Sequence, residues 1–154
     1  MIRHALTAAL ILLLCACGDP YQQGQTAFEE GRWEEAIARL ERVRVLDANY
    51  QEARRLIARA NFQLGKEAYE RQEWSDALQY LQRVSRSDVD TQAARDLISS
   101  AHFEQAQEAL EHGDQEEAVR LLSRVTRDWK RYAEAESLLV KLRDEAAPIA
   151  EDAD

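Results

Sequence analysis

The stretch Asn61–Leu78, NFQLGKEAYERQEWSDAL, joins two amphipathic helical patterns through a turn and recurs, altered, on both sides of itself. A shift of 41 residues along the chain superimposes the copies. The corresponding positions are Gly24, Gly65 and Ala106; Trp33, Trp74 and Gln115; Ala36, Ala77 and Ala118; and Leu40, Leu81 and Leu122. Three copies therefore fill the chain. A repeat of this length is typical of an α-solenoid, in which each unit buries its apolar face against a neighbour.

The composition indicates one all-α domain. The chain has 154 residues, of which 45% are hydrophobic and 32% are charged, and it contains only two prolines and five glycines. Ala, Leu, Glu, Arg and Gln, which favour helices, outnumber the β-branched residues. The net charge of −9 argues against binding to nucleic acid or to an anionic membrane surface. Because both cysteines, Cys15 and Cys17, lie near the beginning, the predicted helical part has no thiol for a disulfide or a metal.

The first sixteen residues have the layout of a secretory signal peptide. Met1–Ala16 carries one early cation, Arg3, followed by an apolar run from Ala8 to Leu14 and then by small residues. The run is too short to cross a bilayer, which takes roughly 20 apolar residues. We therefore expect residues 1–16 to be removed on secretion.

The end of this segment resembles the bacterial lipobox. In Leu14-Cys15-Ala16-Cys17, an aliphatic residue, a tolerated residue and a small residue precede a cysteine that would receive the lipid. The resemblance implies cleavage before Cys17 and its acylation, which would anchor the protein permanently in a membrane. An ordinary signal peptide with an incidental cysteine is the alternative. Lipoproteins with Asp directly after the lipidated cysteine are typically retained at the inner membrane. Because Gly18 follows Cys17 here, the resemblance favours the outer membrane over the inner one, with the protein facing the periplasm.

The helical patterns can be followed in chain order. Asp19 reads as an N-cap, and Pro20 stands at the first helical position. Beyond them, apolar residues recur at helical spacing between turn signals, and residues 147–154 read as a disordered acidic tail. The pattern predicts helices over Pro20–Glu30, Trp33–Leu46, Asn49–Gln72, a segment from Trp74 that includes Val84, Asp90–His112, Gln115–Arg127 and Tyr132–Ala146.

The segments FQLGKEAY, EWSDAL and FEEGRWEEAI resemble the tetratricopeptide repeat, a helix-turn-helix unit with two helices, A and B. The three copies keep one register over nearly all of Cys17–Leu142. The resemblance implies a solenoid domain over residues 17–146, built from three repeats and closed by Tyr132–Ala146 as a C-terminal capping helix. Small residues such as Gly65 and Ala77 would let neighbouring helices approach closely.

The period departs from that of the family, whose unit is about 34 residues long. The additional seven residues are Gln51–Ile57, Gln92–Ile98 and Ala133–Leu139. Seven residues make two helical turns, so each helix A keeps nearly the same face and is about 10 Å longer. Because the added turns are apolar on one side, we expect them to pack against the preceding helix B.

The resemblance also implies where a partner would bind. Tetratricopeptide domains hold extended peptides or helices on the concave surface that is lined by helix A. The matching positions here combine an aromatic row, a polar row and an acidic margin. The predicted contact residues are Tyr21, Phe62 and Phe103; Lys66 and Gln107; and Glu70 and Glu111. Such a surface suits an apolar or basic peptide.

Several of these aromatic residues have an alternative role in packing. Phe28, Tyr69 and Leu110 also project onto this surface, but they are interpreted as core residues because helically spaced aromatic and aliphatic side chains are usually buried. For Tyr21, Phe62 and Phe103, binding and packing remain equal alternatives. Trp129 is expected to fold over the capping helix, and a second contact point is its alternative.

The sequence does not favour catalysis. Glu108 lies four residues before His112, a spacing that a metal could use, but a third ligand is missing. His112 adjoins the turn at Gly113, where a solvated position at a helix end is expected. We therefore expect no enzyme activity, no metal and no cofactor.

The leading hypothesis from the sequence is a lipid-anchored periplasmic adaptor that holds a protein partner at the membrane, in envelope assembly, secretion or cell-wall maintenance. A structural scaffold that associates with itself is the alternative. In both, the partner is a protein rather than a nucleic acid.

Overall fold

The computed structural model describes residues 18–84 and 90–146. Within them the chain is all-α, and its seven helices pack sequentially in antiparallel pairs of the tetratricopeptide type, which confirms the predicted fold class. The predicted signal peptide, Cys17 and the predicted acidic tail lie outside the described residues. The helices are α1 (Pro20–Glu29), α2 (Trp33–Leu40), α3 (Tyr50–Glu70), α4 (Trp74–Leu81), α5 (Thr91–Glu111), α6 (Gln115–Leu122) and α7 (Tyr132–Ala146).

Side-chain caps fix the starts of two helices. The Asp19 carboxylate accepts a hydrogen bond of 3.0 Å from the Tyr21 amide, and Pro20 opens α1. The Asp114 carboxylate likewise accepts a bond of 3.0 Å from the Glu117 amide at the start of α6. The predicted cap at Asp19 is confirmed, and each cap satisfies an amide that has no partner inside its helix.

The B helices end earlier than predicted. Helix α2 ends at Leu40 rather than Leu46, and α6 ends at Leu122 rather than Arg127. After each end the chain tightens, because the Val43 amide bonds to the Leu40 carbonyl at 3.0 Å and the Val125 amide bonds to the Leu122 carbonyl at 3.1 Å. These bonds reach back three residues instead of four, which closes the last turn and directs the chain into a loop.

The turn between helices A and B has a left-handed residue in all three copies. Gly31 and Gly113 have φ values of +72° and +80°, and Gln72 at the matching position of the second copy has φ of +62°. A residue with a Cβ atom is strained in this region, whereas glycine is not. The second copy therefore keeps the left-handed backbone of the turn although it has glutamine there instead of glycine.

The chain divides into two compact units, Met1–Ala60 and Asn61–Asp154, and the division falls within α3. The core of the first unit groups Ala27, Ala36, Leu40, Val43, Ala53 and Leu56. Ala53 and Leu56 belong to the two added turns of α3. Their burial beside Leu40 and Val43 confirms that the added turns pack against the preceding helix B.

The second unit has two clusters of buried side chains. Its first cluster contains Ala68, Ala77, Leu81 and Ala94, with Leu97 and Ile98 of the added turns packed against it. Its second cluster joins α5 and α6 to the capping helix α7 through Phe103, Leu122, Val125, Trp129, Ala135 and Leu142. Trp129 is therefore part of the core under α7, as expected.

The small residues of helix A permit close helix packing. A Cβ atom built on Gly24 would lie 2.5 Å from Cγ of Leu40, and one built on Gly65 would lie 2.6 Å from Cγ of Leu81. Both leucines are almost completely buried, so they have little room to move. The predicted packing role of these two glycines is confirmed.

Candidate protein-interaction surface

The predicted aromatic row does not have one environment. Tyr21 is half-buried and packs against the core of the first unit. Phe62 is half-buried and packs against the first cluster of the second unit. Phe103 is only 1% exposed. Because a side chain inside the core cannot touch a partner, Phe103 is a packing residue, and its assignment to the binding surface was wrong.

Two of the residues that contact Phe103 have no equivalent in the other copies. Its ring centroid lies 5.4 Å from that of Trp129, and the guanidinium carbon of Arg131 lies 4.5 Å from the Phe103 ring centroid. Arg131 is held in turn by ion pairs with Glu104 at 3.5 Å and Glu134 at 2.8 Å. The first copy has Asp47 and Asn49 where the third has Trp129 and Arg131, so the repeat pattern alone does not predict this cover.

The aromatic residues one turn further along helix A pack within the repeats, as interpreted from the sequence. Phe28 meets Trp33, and Tyr69 meets Trp74, both in edge-on contacts with ring centroids 5.1 Å apart. Edge-to-face contacts of this kind stabilise a fold beyond the area they bury. These rings therefore fasten helix A to helix B at the turn.

Two hydrogen bonds join the helices of the second unit beside this turn. The Tyr69 hydroxyl and the Ser100 hydroxyl are 2.7 Å apart, and Nε1 of Trp74 donates to a carboxylate oxygen of Glu108 at 2.6 Å. The first bond links α3 to α5, and the second links α4 to α5. The end of α3 and the middle of α5 thus lie next to each other.

The remaining predicted residues of the second unit form what we name the α3–α5 surface: Phe62, Lys66, Glu70, Gln107 and Glu111. Lys66, Glu70 and Glu111 are exposed, and Phe62 and Gln107 are half-buried. The Lys66 ammonium lies 3.7 Å from a carboxylate oxygen of Glu70. Such an exposed pair contributes little to stability, so both side chains can be exchanged for contacts with a partner without loss of the fold.

The added turns of helix A create a notch against helix B that the sequence did not predict. In the first unit it is a cavity of about 140 Å³ that includes Leu40, Tyr50 and Ile57. The matching cavity of the second unit, which includes Leu81, Thr91 and Ile98, measures about 540 Å³. Thr91 stands at the position of the larger Tyr50.

The candidate metal pair is not assembled. Nδ1 of His112 lies 2.7 Å from the backbone carbonyl oxygen of Glu108, not from its carboxylate, and that carboxylate is bonded to Trp74. Across residues 18–84 and 90–146, no three His, Cys, Asp or Glu side chains are grouped so that they could hold a metal ion.

His102 is buried, and burial together with the positive charge of Arg124 lowers its pKa. The ring is therefore kept neutral by its place in the core.

None of the helices in the described part of the chain combines the length and the apolar character that a membrane span needs. Their charged residues instead form many exposed pairs, such as Arg55 with Glu52 and Arg120 with Glu117.

Comparison with known protein families matches residues 21–68 to the tetratricopeptide repeat. The match covers α2, nearly all of α1 and most of α3. Comparison with curated proteins finds no match. The tetratricopeptide repeat is a scaffold for contacts between proteins and is typically not catalytic. Residues 21–68 thus carry a tetratricopeptide repeat, which implies that the protein acts through protein–protein interaction.

Proposed function

We propose that this protein is a lipid-anchored adaptor that holds a protein partner at a bacterial membrane, on its periplasmic side, with the outer membrane favoured. The match of residues 21–68 to the tetratricopeptide repeat carries the proposal of a protein partner. The lipobox-like residues before Cys17 and the signal-peptide layout of Met1–Ala16 support the proposal of an anchor. Envelope assembly, secretion and cell-wall maintenance are the processes in which such an adaptor would act.

The partner segment that suits the α3–α5 surface is basic with an apolar residue. Glu70 and Glu111 are exposed and unlike Phe103 are free of core packing, so they can attract cations of a partner. Phe62 adds a partly exposed ring beside them. The overall charge of −9 strengthens attraction of a basic partner over longer distances.

Replacing Lys66 by a photo-crosslinking amino acid tests, in living cells, whether a partner contacts the α3–α5 surface. Lys66 is exposed and its pair with Glu70 is dispensable, so the substituted protein will fold. We expect a specific adduct at this position and a loss of that adduct when Glu70→Lys and Glu111→Lys are combined with it. Glu41→Lys with Asp144→Lys is the matched control, because both residues are exposed acids near helix ends outside the surface.

The outcomes separate the two functions weighed from the sequence. The adaptor is supported by an adduct with another protein that persists in the control variant and is lost in the variant with Glu70→Lys and Glu111→Lys. An adduct of twice the protein's own mass supports the self-associating scaffold instead. Equal adducts in both charge variants would contradict a basic partner held by Glu70 and Glu111, and the absence of any specific adduct at position 66 would show that the α3–α5 surface is not the binding site.

The anchor is tested by Cys17→Ser. We expect the unaltered protein to remain in the membrane fraction with a mass that includes acyl chains, and the variant to lose both properties. Membrane retention of a cleaved Cys17→Ser variant would contradict the lipoprotein assignment.

A further inference from the structure

The loop between α2 and α3 presents two apolar side chains to solvent. Val45 is 71% exposed and Leu46 is 96% exposed. The loop is held by Asp47, whose carboxylate accepts a bond of 2.8 Å from the Arg44 amide and whose own amide donates to the Arg44 carbonyl at 2.9 Å. The bond from the Arg44 amide lowers the pKa of Asp47, so the carboxylate stays charged and keeps the turn closed. Val45 and Leu46 are thus held outward by an ordered turn.

Packing of the repeat does not require these two residues to be apolar. Val43, two positions earlier, is the buried residue of this segment, with 6% exposure. The third copy has Arg127 and Asp128 at the positions of Val45 and Leu46, and both are exposed. An exposed apolar pair that the same fold replaces by charges elsewhere indicates a contact outside the chain.

The loop lies at the end of the first unit where the chain enters α1. The Arg39 guanidinium, near the end of α2, donates to the Gln23 side-chain oxygen, near the start of α1, at 3.0 Å. Gly24 packs on Leu40 at the same level, and Tyr21 packs against the core cluster that contains Val43. Because α1 and α2 are antiparallel, the end of α2 and the loop that follows it adjoin the beginning of α1.

We propose that Val45 and Leu46 insert into the lipid headgroup region of the membrane that holds Cys17, as a second membrane contact beside the lipid anchor. The proposal rests on the anchor proposed above. Cys17 precedes α1 by three residues, a reach of at most about 10 Å, so an acylated Cys17 brings this end of the first unit to the membrane surface.

The loop has no net charge, so it suits an anionic lipid surface better than the acidic chain as a whole does. Glu41 and Asp47 balance Arg42 and Arg44, whereas the chain carries a net charge of −9. Anionic lipid headgroups therefore do not repel the loop, and its two arginines can approach them. The tether at Cys17 is a single point of attachment, and the apolar pair adds a second contact that limits rotation of the first unit about it.

A fluorescent thiol label on the full chain tests the insertion. The only native cysteines are Cys15 and Cys17, of which the first leaves with the signal peptide and the second is acylated, so Leu46→Cys supplies the reactive thiol. Glu34→Cys is the matched control, because Glu34 is exposed near the start of α2, at the opposite end of the α1–α2 pair. The purified lipoproteins are reconstituted in phosphatidylethanolamine–phosphatidylglycerol vesicles with and without a brominated lipid.

We expect the brominated lipid to quench the label at position 46 at least about twofold more than the label at position 34, because apolar side chains of surface-bound proteins enter the outer 5–10 Å of a bilayer. Equal quenching in a protein whose mass confirms acylation overturns the insertion and leaves the anchor intact. Absence of acylation overturns both proposals. A label at position 46 that is blue-shifted in native membranes but not quenched by lipid in vesicles shows that a protein covers the loop, which also overturns the insertion.

Discussion

Replacing Phe103 by alanine is the strongest test of the core of the second unit, because it separates packing from binding at a residue that the sequence left open. Phe103 is 1% exposed and contacts Trp129 and Arg131, whereas Phe62, its counterpart in the second copy, is half-buried. If the aromatic row were a binding surface, both alanine variants would reduce binding and leave stability nearly unchanged. The structure predicts different effects for the two.

The magnitude follows from what the truncation removes. Deleting a buried phenylalanine side chain destabilises a protein by about 3–5 kcal/mol through lost burial and the cavity left behind. The ring contact with Trp129 and the Arg131 cation place Phe103→Ala in the upper half of that range, at about 4–5 kcal/mol. Phe62→Ala removes roughly half as much buried area, so we expect about 1–2 kcal/mol. Because domains of this size have about 5–15 kcal/mol of stability, Phe103→Ala approaches complete unfolding.

Urea denaturation measures the difference. With an m value near 2 kcal/mol/M, Phe103→Ala shifts the midpoint down by roughly 2 M and Phe62→Ala by less than about 1 M. Helical circular dichroism reports the fold of both variants. A midpoint of Phe103→Ala within about 0.3 M of that of Phe62→Ala would refute the burial of Phe103. Partner capture should use Phe62→Ala alone, since lost binding by an unfolded variant has no meaning.

Two further predictions concern the turn of the second copy and the buried histidine. Gln72→Gly should stabilise the protein by about 1 kcal/mol, because Gln72 has φ of +62°, and Gly113→Ala should destabilise it by a similar amount; thermal melting of both checks the pair. The pKa of His102 is lowered by burial, so the unfolded chain binds its proton more readily, and stability should fall as the pH drops below about 6.5, by up to about 1.4 kcal/mol per pH unit. In His102→Gln this slope between pH 7.5 and pH 5.5 should disappear, and an unchanged slope would assign it to other groups.

The repeat period made the fold predictable from the sequence. Small and aromatic residues that recur every 41 positions indicated which helices approach closely. Gly24 and Gly65 pack on Leu40 and Leu81 as expected. The register also placed the two added turns correctly against helix B. Such features follow from local periodicity, which a single sequence displays fully.

The burial of Phe103 could not be predicted in the same way. It depends on Trp129 and Arg131, which are 26 and 28 positions away and stand where the first copy has Asp47 and Asn49. The early end of α2 was missed for a related reason. Apolar Val45 and Leu46 extend the helical pattern of α2, and only the structure shows that they lie beyond its end and face solvent.

Positions at which one copy departs from the others are therefore the best candidates for function in this protein. Residues shared by all copies, such as Ala36, Ala77 and Ala118, are fully buried and are explained by packing alone. The departures are of two kinds. Trp129 is buried in the core beneath α7, and the partly exposed Arg131 lies over the Phe103 ring. Val45 and Leu46 are exposed at a position where the third copy has charged residues, so internal packing gives no reason for them, whereas the proposed membrane contact would.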